Sequence, residues 1–165
     1  MSTVKLRHQQ SGLSLIELIV VIAIIALLTS AAIPSYQNHI QRKNIALARV
    51  DIQSIELAIV HYDVTMGGLP DDLAKLRMDD MLNPWGQPYE FLNHTNVKGN
   101  GQFRKFKGEV PLNSDYDLYS IGPDSASNGP LTAATSRDDI VRAANDAFVG
   151  LGANFGDFGN SDSQQ

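Results

Sequence analysis

From Leu13 to Ile33 the sequence is close to continuous hydrocarbon, and this run constrains everything else. Every residue from Leu18 to Leu28 is apolar, and the polar residues of the run are Ser14, Glu17, Thr29 and Ser30. As a helix rising ~1.5 Å per residue, about 20 such residues cross a hydrocarbon layer of ~30 Å. Glu17 does not suit a plain anchor, because a charge at membrane depth costs on the order of 2.5–3.5 kcal/mol and calls for a partner. The alternative is a carboxylate that snorkels to the nearby interface.

The flanks set the direction of the span. Residues 1–12 carry Lys5 and Arg7 and no acid, so the positive-inside tendency keeps this end cytoplasmic and exports the chain beyond Ile33. Ser30-Ala31-Ala32 has the small residues of a secretory cleavage site. The apolar run is longer than a signal peptide's, which spans about 7–15 residues, and its acid argues against that reading. Pro34 removes a backbone donor and crowds the carbonyl of Ser30, so a kink is expected there. No Gly or Pro occurs between Pro34 and Gly67, and Ile45, Ala48, Ile52, Ile55, Ile59, Tyr62 and Met66 recur at alternating spacings of three and four. Such a stripe is the face on which a domain packs. Gly67-Gly68 and Pro70 stop the helix. The expected order is a leader at 1–12, a membrane helix at 13–33, its amphipathic continuation at 34–66, and an α+β region at 67–165.

Within that region Tyr89–Leu92 and Asp115–Ile121 read as strands, the second aromatic-rich and nearly alternating. Leu73, Leu76 and Met81 stand at helical spacing, and Asp138 to Ala147 reads as a short helix with Ser136 as N-cap. The last ten or so residues read as a frayed end. Residues 109–165 hold nine acids against Arg137 and Arg142, a balance that argues against nucleic acid. Lys98, Arg104, Lys105 and Lys107 with Phe103 and Phe106 form a basic patch, read either as a solvated hairpin or as a contact for a neighbour's acidic surface. There is no cysteine, hence no disulfide framework. His8, His39, His61 and His94 lack metal-ligand spacing, and no nucleophile motif or phosphate loop occurs, so no enzyme is expected.

Gly12, then Leu13-Ser14-Leu15-Ile16-Glu17-Leu18, the apolar run and Pro34 resemble the N-terminus of type IV pilins and type II secretion pseudopilins. Leu13 stands where Phe or Met is commoner in that family. Asn83-Pro84-Trp85-Gly86-Gln87-Pro88-Tyr89 is similar to a segment of the major, G-type pseudopilins, with Asn83 in place of the usual Asp. Ser120-Ile121-Gly122-Pro123-Asp124 and the later Asp138-Asp139-Ile140 resemble that subunit's C-terminal calcium loop, although the gap between them is longer here. The stretch Asn93 to Asn113 also departs from the pattern.

The resemblance implies a pilin-like α+β fold with a small antiparallel sheet on the long helix. It implies cleavage after Gly12 by a prepilin peptidase, methylation of Leu13, assembly directed by Glu17, and a helix kink at Pro34. A free amine at Leu13 would lie at the depth of Glu17, and pairing it with a neighbour's Glu17 neutralises both charges. For the acidic loop two readings stand. One is a Ca²⁺ site of Asp124, Asn128, Asp138 and Asp139 with backbone carbonyls near Leu118 and Ile121. The other is a solvated acidic surface. The implied role is a subunit of the periplasmic pseudopilus, held in the inner membrane by one span, with partners in its own copies, minor pseudopilins and the secretion platform. The alternatives are a type IV pilin of an extracellular filament and a membrane-tethered periplasmic binding domain that does not polymerise.

Overall fold

The computed structural model describes residues 14–161, except the side chains of Ala31, Ala32 and residues 159–161. Helix α1 runs Leu15–Met66, with Pro34 inside it. The expected helix is therefore one element, and Pro34 does not end it. The chain divides into two compact units, Met1–Ile40 and Gln41–Gln165. In the first, the described side chains from Leu15 to Leu28 are exposed on every side of the helix. This helix is long and apolar enough to cross a membrane.

In the second unit the continuation of α1 buries the stripe read from the sequence. Ala48, Ile52, Ile55 and Ile59 are fully buried, whereas Met66 is 68% exposed, so the buried face ends before the helix does. Burying each of the three isoleucines contributes about 1.5–3 kcal/mol. Their partners come from strands β1 (Tyr89–Asn93), β2 (Tyr116–Ser120) and β3 (Ile140–Ala143), which supply Tyr89, Tyr116, Leu118 and Ile140. Trp85 packs against the same cluster. β4 (Phe148–Leu151) completes an antiparallel sheet in the order β1-β2-β3-β4. Tyr89 faces Ser120, Tyr119 faces Val141 and Ala143 faces Phe148. Strand side chains alternate, so Asp117, Tyr119, Val141 and Ala143 point away from α1. A second cluster forms there, of Leu112, Leu131, Val141, Ala143, Phe148 and Phe155.

Two expectations fail in the C-terminal third. Asp138 to Ala147 is not a helix; β3 and β4 form a hairpin there. Ile140-Val141 favours an extended backbone, and Ala144, Asn145 and Asp146 turn the chain with φ of 53°, 49° and 71°. Asn and Asp tolerate that left-handed region better than most residues. The end of the chain is not frayed up to Ser161 either. Helix α2 (Phe155–Ser161) holds Phe155 edge-on to Phe106 and to Phe148, each 5.3 Å between centroids.

Candidate functional site

The candidate residues lie in two regions, the start of α1 and the acidic loop. At the first, Gly12 and Leu13 lie outside the described residues. Glu17 is exposed in the first turn of α1. Its carboxylate accepts from the Ser14 backbone N–H at 3.2 Å, and its own N–H donates to Ser14 Oγ at 3.4 Å. This reciprocal pair is a capping box, readable in the sequence as Ser-x-x-Glu. It holds the carboxylate toward the residue after Leu13, at the positive end of the helix dipole. On the continuation of α1, Leu47, Val50, Leu57, Val60 and Val64 stay exposed on a face of their own.

The acidic loop, between Gly122 and Asp139, is brought into one place but not as a ring of oxygens. Asp139 is fully buried and turned inward. Its Oδ2 accepts from Arg104 Nη2 at 2.5 Å and from Ser127 Oγ at 2.6 Å, and its Oδ1 from the Gly122 N–H at 3.2 Å. Asn128 is exposed, and its carbonyl accepts from Arg104 Nη1 at 2.6 Å and from Ser136 Oγ at 2.7 Å. The Ile121 carbonyl accepts from Asn83 Nδ2 at 2.9 Å, while Leu118 lies within β2 in register with Phe91. Asp124 and Asp138 remain near the surface, with Asp138 Oδ2 3.4 Å from the Asp124 N–H. Burial first, and then the charge of Asp124, hold the Asp138 carboxyl above its ordinary value. Asp117, on the face of β2 turned away from α1, accepts from the Arg104 backbone N–H at 2.8 Å and from Asn113 Nδ2 at 3.1 Å.

Ca²⁺ takes six to eight oxygens. The Asp139 carboxylate is already taken by Arg104, Ser127 and Gly122, and among the described residues no group of three or more His, Cys, Asp or Glu side chains gathers to hold a metal. The donor set does not fit a divalent cation.

Comparison with known proteins returns to the other end of the chain. Residues 7–33 match the family model described as the prokaryotic N-terminal methylation motif. The type II secretion system core protein G of Pseudomonas aeruginosa is 26% identical over 148 residues, covering 74% of this chain and 90% of that protein. The α+β fold of this chain, a long N-terminal helix on a four-stranded antiparallel sheet, is pilin-like. The chain is also similar to the fimbrial protein EcpB of Eikenella corrodens, 36% identical over 63 residues, and to the type IV major fimbrial protein FimA of Dichelobacter nodosus, 39% identical over 54. Those matches cover 38% and 33% of the pilin-like chain, and 39% and 35% of the relatives. No solved structure matches it significantly.

Two networks of the pilin-like chain escaped the sequence. Asn83, at the position where the G-type pattern has Asp, is buried and uses its whole amide. Nδ2 donates to Ser120 Oγ and the Ile121 carbonyl, and Oδ1 accepts from the N–H groups of Trp85 and Gln87. A carboxylate could not donate to that carbonyl. Arg142, also buried, projects toward α1. It donates from Nη1 and Nη2 to Asp115 at 2.8 and 2.9 Å and from Nε to Asp146, stacks 4.0 Å over Tyr116, and has Glu56 of α1 3.0 Å from Nε.

Proposed function

We propose that this chain is a structural pseudopilin subunit that polymerises into the periplasmic pseudopilus of a type II secretion system. Before assembly it is held in the inner membrane by one span, with the sheet-bearing unit in the periplasm. A prepilin peptidase cleaves after Gly12 and the new amine of Leu13 is methylated. Glu17 then pairs with the amine of a neighbouring copy, and packing of the 13–33 segments holds the array. Minor pseudopilins and the inner-membrane platform are its assembly partners.

The observation that carries this reading is the extent of similarity to the core protein G, which spans 90% of that relative. The fimbrial matches are confined to about a third of the chain. The exposed stripe of Leu47, Val50, Leu57, Val60 and Val64 supports polymerisation, since apolar rows left uncovered on a subunit suit contact with another. The test is electron microscopy of cells overexpressing the chain, sheared and unsheared, with a secretion assay of a deletion strain. Filaments on overexpression together with a secretion defect are expected. Surface filaments with normal secretion would favour a type IV pilin, and an unpolymerised anchored protein would favour a tethered domain.

A further inference from the structure

Two departures from the G-type pattern are separated in the sequence by strand β2. One is the stretch Asn93 to Asn113, and the other is the widened gap between Asp124 and Asp138. The fold places them against each other. Lys105 bridges Pro130 in parallel, with its N–H donating to the Gly129 carbonyl at 3.1 Å and its carbonyl accepting from the Leu131 N–H at 2.9 Å. This pairing carries the neighbouring Arg104 side chain into the loop. We propose that the Arg104 guanidinium is the internal cation that closes this loop, in place of a bound divalent ion.

Arg104 is 4% exposed. Nη1 donates to Ser127 Oγ at 2.7 Å and to the Asn128 carbonyl at 2.6 Å, and Nη2 to Asp139 at 2.5 Å. The plane lies 4.1 Å from the Tyr119 ring centroid. One cation thus gathers a carboxylate, a carbonyl and a hydroxyl from both ends of the loop, a set of oxygens that a metal would also gather. Asp139 is the residue that must choose, since its Oδ2 is already taken by two donors and its Oδ1 by Gly122. The fixed fork of the guanidinium suits the site, whereas an ammonium presents a single point of charge. Gly122 keeps the far end tight. A Cβ there would lie 2.5 Å from Asp138 Oδ2 and 2.7 Å from the Asp138 carbonyl. Asp124 and Asp138 are then a like-charged pair at the rim, bonded only to loop backbone, Asp124 accepting from the Ala126 N–H at 2.9 Å and Asp138 from the Asp124 N–H at 3.4 Å.

The inference goes beyond the assembly reading and stands or falls apart from it. The test is thermal melting of the detergent-solubilised full chain, followed by circular dichroism, in millimolar CaCl2 and in excess chelator. The two midpoints should coincide. Asp124→Asn and Asp138→Asn should leave the midpoint unchanged or raise it. Arg104→Ala leaves a buried carboxylate unpaired and should lower the midpoint by about 10 °C or more in either buffer. Arg104→Lys, which keeps the charge and loses the fork, guards against an Arg104→Ala chain that does not fold. It should melt below wild type and be cut by protease between Gly122 and Ser136 under conditions where wild type is intact. A midpoint several degrees higher in CaCl2, a fall on Asp124→Asn or Asp138→Asn, or an Arg104→Lys chain as stable and protease-resistant as wild type would overturn the proposal.

Discussion

Replacing Glu56 by Gln should stabilise the protein at alkaline pH and leave it nearly unchanged at acid pH. Arg142 Nε carries one hydrogen, and two carboxylates stand beside it. Asp146 accepts it, and Glu56 Oε1, 3.0 Å from the same nitrogen, is left buried without a hydrogen-bond partner. A proton on Glu56 resolves the conflict by bridging to Asp146. Burial first, and then Asp146, accordingly push the Glu56 carboxyl from 4.5 to about 7, against the pull of Arg142. An acid whose pKa is raised in the folded state binds its proton more tightly there than in the unfolded chain. Stability therefore falls as pH rises from about 4.5 to about 7 and levels off above. At about 1.4 kcal/mol per pH decade the upper bound is ~3.5 kcal/mol, and solvent at the edge of the cluster reduces it to about 1–2 kcal/mol. Gln keeps a donor for Asp146 and never ionises. Melting midpoints of the solubilised wild-type and Glu56→Gln chains, measured from pH 4.5 to 8.5, should coincide at the acid end. They should separate by roughly 4–8 °C in favour of the variant at the alkaline end. A difference that does not change with pH, or a variant that is weaker above pH 7, would refute the shared-proton argument.

The other expectations concern processing, assembly and the core. Intact-mass analysis of the membrane-extracted protein should give a chain beginning at Leu13 with one extra methyl group, whereas a start at Ala32 or Ile33 would mean secretory cleavage. Glu17→Ala should still insert in the membrane, since it removes a charge from an apolar run, but should yield few or no filaments by electron microscopy. Normal filaments from that variant would end the pairing mechanism. Asn83→Ala strips hydrogen bonds from the Ile121 carbonyl and from two backbone N–H groups, and should cost about 2–3 kcal/mol in denaturant unfolding.

The features legible in the sequence were local and periodic. The apolar run, the stripe from Ala48 to Ile59 and strands β1 and β2 repeat at the spacing of the element they form, so each announces itself within about ten residues. The β3–β4 hairpin hid because its turn is Ala-Asn-Asp, without glycine, and because Asp138-Asp139 imitate the acidic start of a helix. The inner contacts of the acidic loop are hidden in the sequence for a different reason. Asp139 looks like a ligand until it is known that Arg104, from a stretch that reads as a solvated basic hairpin, is buried against it. Nothing within either segment records that meeting. The Ser14–Glu17 cap is legible as Ser-x-x-Glu, and it falls on the same acid to which the resemblance gives the assembly role.

The strand order has a kinetic side. Each strand pairs with its predecessor, and α1, the surface they pack on, is made before any of them. Sheets built from sequence neighbours close small loops first and have low contact order, which favours fast folding. Without cysteine no oxidation step stands in the way. As the chain is synthesised, a helix appears, then β1 and β2, then the β3–β4 hairpin, each able to settle on the elements already present. The last contacts to close are the distant ones, Arg142 with Glu56 and Arg49 with the Val149 carbonyl, so the sheet locks onto α1 only when β3 and β4 have been made.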